Sequence, residues 1–369
     1  SYANIASGHR FLGRGGMGAV MGSKNLKAIS AKGGEFKILP ANKKKFDKIK
    51  KKATAYINRN DISGGSYRNF GTNANVNSSN ATGLLPVRNF TGGSHGEAHK
   101  ISGEAMAERF KTTYSTCKPC TILCGHKGTI NGEVRQIPEY ETVGLMGSNL
   151  EIFDPVKISD WNEICSLMGM DTIAIGGTLA WAMEAGEKGL FKTDLKFGSP
   201  DGVSEILYDI AHVRGAGKDL AMGSRYCSRK FGGEDFAIQV KGMEFPAYDP
   251  RGSFGQGLGF AVANRGACHV TSSVFALEAY MDLIEPFTHM SKASLVKYQE
   301  DCISAVNSLQ TCLFTAFPYE LETPLLKYSP KFVLKILVTA MAAVAMRFVD
   351  VSLWPEFWSA VTGRRIGIT

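Results

Sequence analysis

Three cysteines, Cys117, Cys120 and Cys124, stand in the run Cys-Lys-Pro-Cys-Thr-Ile-Leu-Cys. Thiolates this close in sequence converge on one point, and metal binding or oxidation relieves their repulsion. Tetrahedral zinc and a cubane iron–sulfur cluster are the two usual outcomes, and each needs a fourth ligand. A disulfide would leave one of the three thiols unpaired. Cys312, at an expected helix end, is a candidate for the missing position. The spacing names a metal site and leaves the metal open.

Two carboxylates, Glu139 and Glu141, lie two positions apart in an otherwise apolar, glycine-rich stretch. Facing a cavity they suit acid–base work; on a strand they share a face, and the plainer alternative is a solvated edge. His269 closes Asn264-Arg-Gly-Ala-Cys-His and, on local context alone, reads as a buried structural histidine. Glycines at 13, 15, 16, 18 and 22, with Arg14 and Lys24 among them, offer backbone N–H groups and cations to a phosphate. No strand is expected before this block and Gly-Lys-[Ser/Thr] is missing, so it is neither a P-loop nor a dinucleotide fingerprint. A tight glycine turn between core elements is the equal alternative.

Helices supply most of the framework. Residues 1–6 read as mid-helix, 28–32 as a strand, 41–58 as a basic helix and 60–94 as a Gly/Asn/Ser-rich loop. Met106 to Tyr114 reads as a helical approach to the cysteines, and Asn131-Gly132 predicts a type I′ hairpin over 127–137. Apolar periodicity predicts two helices between Asp160 and Gly189, broken at Ser166 to Thr172, where Asp171 is a ready N-cap. Further helices are expected at 202–213, 218–230, 293–309 and 330–348.

With 369 residues and 44% hydrophobic content the chain can bury a large core in two or three domains. The net charge of +8 includes a lysine run at 43–52, a solvated helix face or a docking patch for an acidic partner. It lacks the interleaved aromatics of nucleic-acid binders, so no nucleic acid is expected. Eight cysteines, four of them isolated at 165, 227, 268 and 302, point to a reducing, cytoplasmic setting, and nothing at the N-terminus resembles a targeting peptide. The apolar stretch 332–349 contains Lys335 and Arg347, so a buried or amphipathic helix is expected over a membrane span.

Together and in this order, the motifs resemble the tungsten-containing aldehyde:ferredoxin oxidoreductase family. The resemblance is carried by Gly13-Arg-Gly-Gly-Met-Gly18 with its continuation to Lys27-Ala28, by Leu85-Pro-Val-Arg-Asn89 and by Ile101-Ser-Gly-Glu104. The cysteine run, Pro138-Glu-Tyr-Glu-Thr142, Pro246-Ala-Tyr-Asp-Pro-Arg251 and Asn264-Arg-Gly-Ala-Cys-His269 extend it over essentially the whole chain. It implies a mixed fold, mainly α-helical in two later domains, with an N-terminal α+β pterin-binding domain present only as its end. The expected boundaries are 1–40, 41–238 and 239–369. The family's chains are longer, so a fragment or the ordered part of a longer chain is expected.

The resemblance further implies a [4Fe-4S] cluster on Cys117, Cys120, Cys124 and Cys312. Beside it would lie tungsten or molybdenum bound by two pterin dithiolenes (bis-molybdopterin), with magnesium linking the pterin phosphates. Arg14, Gly15 and Gly16 would serve one pterin. Family motifs of the form Asp-x-x-Gly-Leu-Asp/Cys match Ser166 to Asp171 and Asn307 to Cys312, bringing Asp171, Thr172, Asn307 and Thr311 to the cofactor. Ser166, Asn307 and Gln310 depart from that pattern. The implied reaction is oxidation of a small aldehyde to its acid, with electrons leaving through the cluster to ferredoxin or an electron-transfer subunit. Glu141, with Glu139 in reserve, would activate water or accept a proton, and His269 would polarise the substrate carbonyl. An oligomer is expected. The alternatives are reduction of an aromatic-ring thioester or oxidation of 2-hydroxy acids within the same family, or a non-catalytic metal-binding subunit.

Overall fold

Helical periodicity runs long in this chain and alternation runs short, and the computed structural model, which describes residues 2–33 and 39–366, follows that balance. The first described residues form a hairpin, β1 (Ile5–Ser7) and β2 (Arg10–Leu12), followed by α1 (Met17–Ser23). The expected N-terminal helix is therefore absent, and a strand does precede the glycine block. Long-range pairing decides this: Ala3 bridges Met170, and Asn4 N–H donates to Gly169 O. Ser1 lies outside the described residues. Residues 28–32 form no strand.

The basic helix is α2 (Lys43–Arg59), capped by the Asn42 side chain. What reads as a loop from 60 onward is largely helical: a π-turn at Asp61–Ser66, α3 (Tyr67–Phe70), a 3-10 turn at Gly71–Ala74 and α4 (Asn75–Ala81). Several of its polar residues are buried. Asn60 Oδ1 accepts from Ile62 N and Ser63 N, and Asn73, Asn75 and Ser79 are buried. Polarity there in part marks internal hydrogen bonding within helical turns, and the expected loop is confined to the residues after α4.

α5 (Gly103–Phe110) stops at Lys111, which adopts a left-handed φ of 49°. It leads into a sheet of order β3 (Thr113–Tyr114), β4 (His126–Ile130) and β5 (Glu133–Gln136). The three cysteines occupy the loop between β3 and β4. The β4–β5 hairpin turns at Asn131 and Gly132, both with positive φ, as the Asn-Gly pair requires.

The centre of the molecule is α6 (Tyr140–Met146), α7 (Pro155–Leu167) and α8 (Thr172–Glu187). α6 crosses α8 backbone against backbone: a Cβ on Gly176 would lie 2.7 Å from the Leu145 main chain. On its other side a Cβ on Gly144 would lie 2.5 Å from Ala247 Cβ. Trp161, Trp181, Tyr140, Leu145 and Met146 fill the core around this crossing.

α9 (Val203–His212) is followed by α10 (Gly217–Leu220) and α11 (Ser224–Phe231); the single helix expected over 218–230 is divided at Gly223, whose φ is 90°. A hairpin of β6 (Gln239–Val240) and β7 (Met243–Glu244) precedes α12 (Phe254–Val262) and α13 (His269–Ser272). α14 (Lys292–Ser308), α15 (Ala316–Leu321), α16 (Pro324–Tyr328), α17 (Lys331–Ala345) and α18 (Leu353–Thr362) complete the order. A second apolar core joins α2 and α18 to the cysteine loop through Ile49, Tyr56, Ile57, Ile122 and Trp354.

The Lys331–Thr362 stretch is long and apolar enough by composition to cross a membrane. It is interrupted at Met341, whose φ of −143° leaves the helical range, and again between α17 and α18. Leu334, Val338 and Ala342 are buried as an amphipathic helix requires, while Phe332, Ile336 and Phe348 stay exposed.

Candidate active site

Glu139 and Glu141 do not share a face, because the segment is helical from Tyr140 onward. Glu139 is the N-cap residue and Glu141 lies in the first turn, so the two carboxylates diverge. Glu141 Oε2 accepts the Ala247 N–H at 2.7 Å, and its Oε1 lies 3.3 Å from His269 Nε2. Both side chains are largely buried, 15% and 16% exposed. Burial pushes the Glu141 carboxyl up to about 7, opposed by the Ala247 N–H and the Arg14 charge. Burial, with Arg14 and Arg265 nearby, holds His269 well below its usual range, so the imidazole is neutral. The pair is thus a carboxylate poised near neutrality beside an uncharged imidazole.

Arg14 reaches this site from the glycine block. Its Nη1 donates to Ala267 O at 2.9 Å, its Nη2 donates to Glu244 O, and its Nε lies 3.8 Å from Asp171 Oδ2. Gly15 and Gly16 beside it both take left-handed φ, 99° and 71°, which favours glycine. Asp171 caps α8, its Oδ1 accepting from Ile173 N at 3.1 Å, and burial raises its carboxyl pKa against the pull of Arg14. Thr172 Oγ1 pairs with Thr142 Oγ1 at 2.7 Å, tying the start of α8 to α6.

Part of this constellation lines a cavity of about 520 Å³, which Glu141 links to His269. Asn4, Arg10, Arg14, Glu139, Glu141, Asp171 and Thr172 contribute to its wall. Asn4 Oδ1, Arg14 Nε and Glu141 Oε1 are buried there without a hydrogen-bond partner, and His269 Nδ1 is similarly unpaired. Orphaned buried polar atoms around a cavity are what a polar ligand would satisfy.

The cysteine loop adjoins the cavity through Gly125 and His126. Cys117 and Cys312 are exposed, and Cys120 and Cys124 are half-buried beside Tyr67, Ile122 and Phe314. Cys312 begins the turn after α14 and feels the charge of Cys117 and Cys120, so it does meet the loop across the fold. None of the eight cysteines forms a disulfide. Asn307, in the last turn of α14, and Thr311, just beyond it and next to Cys312, do not line the cavity holding Arg14 and Asp171; Thr311 Oγ1 bonds back to Val306 O. Gln310 takes a left-handed φ of 53° where the motif carries glycine.

Sequence spacing did not single out Asn4, Arg10, Thr72 or the Ala247 N–H. Each reaches the site from a distant segment, and only the motif Pro246-Ala247 carried any signal.

Comparison with known proteins decides the family. The aldehyde ferredoxin oxidoreductase domain 2 and 3 model matches residues 48–367, and the N-terminal domain model of that family matches residues 1–33. The chain belongs to the aldehyde ferredoxin oxidoreductase family. It is 39% identical over 328 residues to the tungsten-containing aldehyde ferredoxin oxidoreductase of Pyrococcus furiosus, covering 85% of this chain and 54% of that protein. The corresponding protein of Thermococcus kodakarensis is 37% identical over 326 residues, with the same coverage. The chain therefore spans about half the length of these relatives. The fold matches the active site complex BamBC of benzoyl coenzyme A reductase in complex with 1,5-dienoyl-CoA, with TM-score 0.66 and 16% identity over 98% of this chain and 62% of that one. Membership accounts for the mainly helical architecture and for the short N-terminal hairpin as the end of a further domain.

The site's electrostatics make a direct prediction. Carboxyl-selective NMR of glutamate-labelled protein should show resonances titrating near pH 7 from the buried Glu141 and Glu320, and Glu141→Gln should remove the first and leave the second. Below that midpoint Glu141 is protonated, above it ionised. A Glu141 midpoint at the ordinary 4.5 would contradict the burial argument.

Proposed function

We propose that this chain forms the acid–base and electron-outlet part of an enzyme that oxidises an aldehyde to a carboxylic acid. The observation that carries the reading is the buried Glu141–His269 pair, 3.3 Å apart, at a cavity with orphaned polar atoms. The balanced reaction takes an aldehyde and water to a carboxylic acid, two protons and two electrons. Tungsten, or molybdenum, held by two pterin dithiolenes with magnesium joining their phosphates, supplies the two-electron redox chemistry when bound.

The cavity residues fit that group. Asn4 Oδ1 and Arg14 Nε, without hydrogen-bond partners, would meet pterin or phosphate polar atoms, with Asp171 and Thr172 on the same wall. Gly15 and Gly16, next to Arg14 in the chain, and Asn307 and Thr311, outside that wall, are the further residues proposed to serve the cofactor. Glu141 takes a proton from the attacking water; with its carboxyl near 7 it can accept and release that proton at neutral pH. His269 is neutral and can donate one N–H to the substrate carbonyl, polarising it. Glu139, paired elsewhere, is the reserve base.

Cys117, Cys120, Cys124 and Cys312 would hold a [4Fe-4S] cluster. Among the described residues no three His, Cys, Asp or Glu side chains close on a single-ion position. Soft thiolates suit iron and sulfide, which favours a multi-iron cube in this reading. Electrons then pass to an acidic ferredoxin or partner subunit. The lysine face of α2 supports this, since Lys43, Lys44, Lys45, Lys48, Lys50 and Lys51 are exposed on it. The same helix buries Ile49, Tyr56 and Ile57 in the core that holds the cysteine loop. Arg68 Nη2 ties them further, donating to Asn58 Oδ1 on α2 at 2.7 Å and to Thr121 O in the loop at 2.8 Å. Steering by such a face raises encounter rates and is screened by salt. A reducing, cytoplasmic setting and an oligomeric protein complete the reading.

Glu141→Gln in the loaded enzyme should lower viologen-linked oxidation of benzaldehyde by about 10²-fold or more while metal content is kept. Full activity, or turnover of benzoyl-CoA or a 2-hydroxy acid with none of aldehyde, would overturn the assignment. Reversing Lys48, Lys50 and Lys51 to Glu should leave viologen-linked turnover intact and cut ferredoxin-linked kcat/KM about tenfold at low salt. Equal ferredoxin kinetics would remove α2 from the docking surface.

A further inference from the structure

Arg10 has no role in the chemistry above and Glu139 only that of a reserve, yet they meet where the cysteine loop touches the cavity. Arg10 Nη1 donates to Glu139 Oε1 at 3.0 Å, with the two side chains 48% and 47% exposed. The other arm of the guanidinium lies against the residue after Cys124: a Cβ on Gly125 would sit 2.8 Å from Arg10 Nη2. Glycine is what lets this cation approach the loop backbone so closely. Arg10 lies within electrostatic reach of both Cys117 and Cys124, and Glu139 within reach of Cys124.

Glu139 is also tied to the catalytic helix. Its Oε2 accepts from Thr72 Oγ1 at 3.2 Å, and Thr72 Oγ1 in turn accepts from Tyr140 N at 3.0 Å. Two residues further along the same turn is Glu141. One opposite-charge pair therefore spans the wall between the thiols and the acid–base site.

We infer that Arg10 and Glu139 are a tuning pair for the reduction potential of the cluster, Arg10 raising it and Glu139 lowering it. The inference rests on the proposed cluster at Cys117, Cys120, Cys124 and Cys312. Reduction adds one negative charge to the cluster. A fixed cation beside the thiolates stabilises that charge and an anion opposes it. Side-chain hydrogen bonds and nearby charge are among the terms that set such potentials. Paired, the two groups offset each other at the cluster, so the potential depends on the ion pair staying closed. Both are positioning residues, acting on the cluster without ligating it.

The test is an EPR-monitored redox titration of the metal-loaded enzyme and its Arg10→Gln, Arg10→Lys and Glu139→Gln variants, with iron content measured on each. Arg10→Gln should lower the midpoint and Glu139→Gln should raise it. Arg10→Lys, which keeps the charge, should stay near the parent. At fixed poise the reduced-to-oxidised ratio should change about threefold in each direction, the size expected of a half-exposed charge. Opposite directions are the signature, because a loosened fold would move both variants the same way. Shifts of the same sign, or unchanged midpoints with iron retained, would overturn the inference. If Arg10→Gln loses iron, Arg10→Lys and Glu139→Gln still decide it. A parent enzyme with no reduced-cluster signal would instead overturn the cluster reading itself.

Discussion

The backbone contact between α6 and α8 is the constraint on which the rest of this molecule depends. Gly176 presses on the main chain of Leu145, and Gly144 admits Ala247 from the opposite side. No side chain fits either gap. Because the helices touch this closely, their N-terminal ends open on the same cavity, one carrying Glu141 and the other Asp171 and Thr172. Ala247, pressed onto α6, also presents its N–H to Glu141. One packing contact thus places a carboxylate and the donor that restrains it.

Electrostatics then divide the site by role. Glu141 and His269 are starved of water and meet as a neutral imidazole and a carboxyl that titrates near 7. Arg14 is anchored by two carbonyls, and its buried Nε has no hydrogen-bond partner. Glu139, two residues from Glu141, is held half-exposed by Arg10 and Thr72. Neighbouring residues of one type therefore have different chemistry, and helical geometry is the reason. Around them the cysteine side of the molecule is basic and exposed, as an electron outlet to an acidic carrier would be.

Much of this was legible in the residues, for uneven reasons. Strong local signals held: the Asn131-Gly132 hairpin, the Asp171 cap, the break after Leu167 and the long helices α2, α8 and α14. Motif order carried the family and brought Arg14, Glu141 and His269 together, which no spacing could have done. Failures came where tertiary contacts override local preference. The N-terminal strands exist because Ala3 and Asn4 pair with residues near 170. The polar stretch after residue 60 is helical because its Asn and Ser side chains are satisfied internally. Glu139 and Glu141 diverge because a helix begins between them. Arg10 went unassigned since nothing in the sequence links position 10 to position 139.

The central claim is that the four thiols hold an iron–sulfur cluster beside a pterin-bound metal. Elemental analysis with low-temperature EPR of the dithionite-reduced protein, isolated anaerobically with its cofactors, tests it most directly. The account predicts iron together with tungsten or molybdenum, and the signal of a reduced four-iron cluster that is lost when Cys312 is replaced by Ser. Zinc in the protein without iron, tungsten or molybdenum would contradict it.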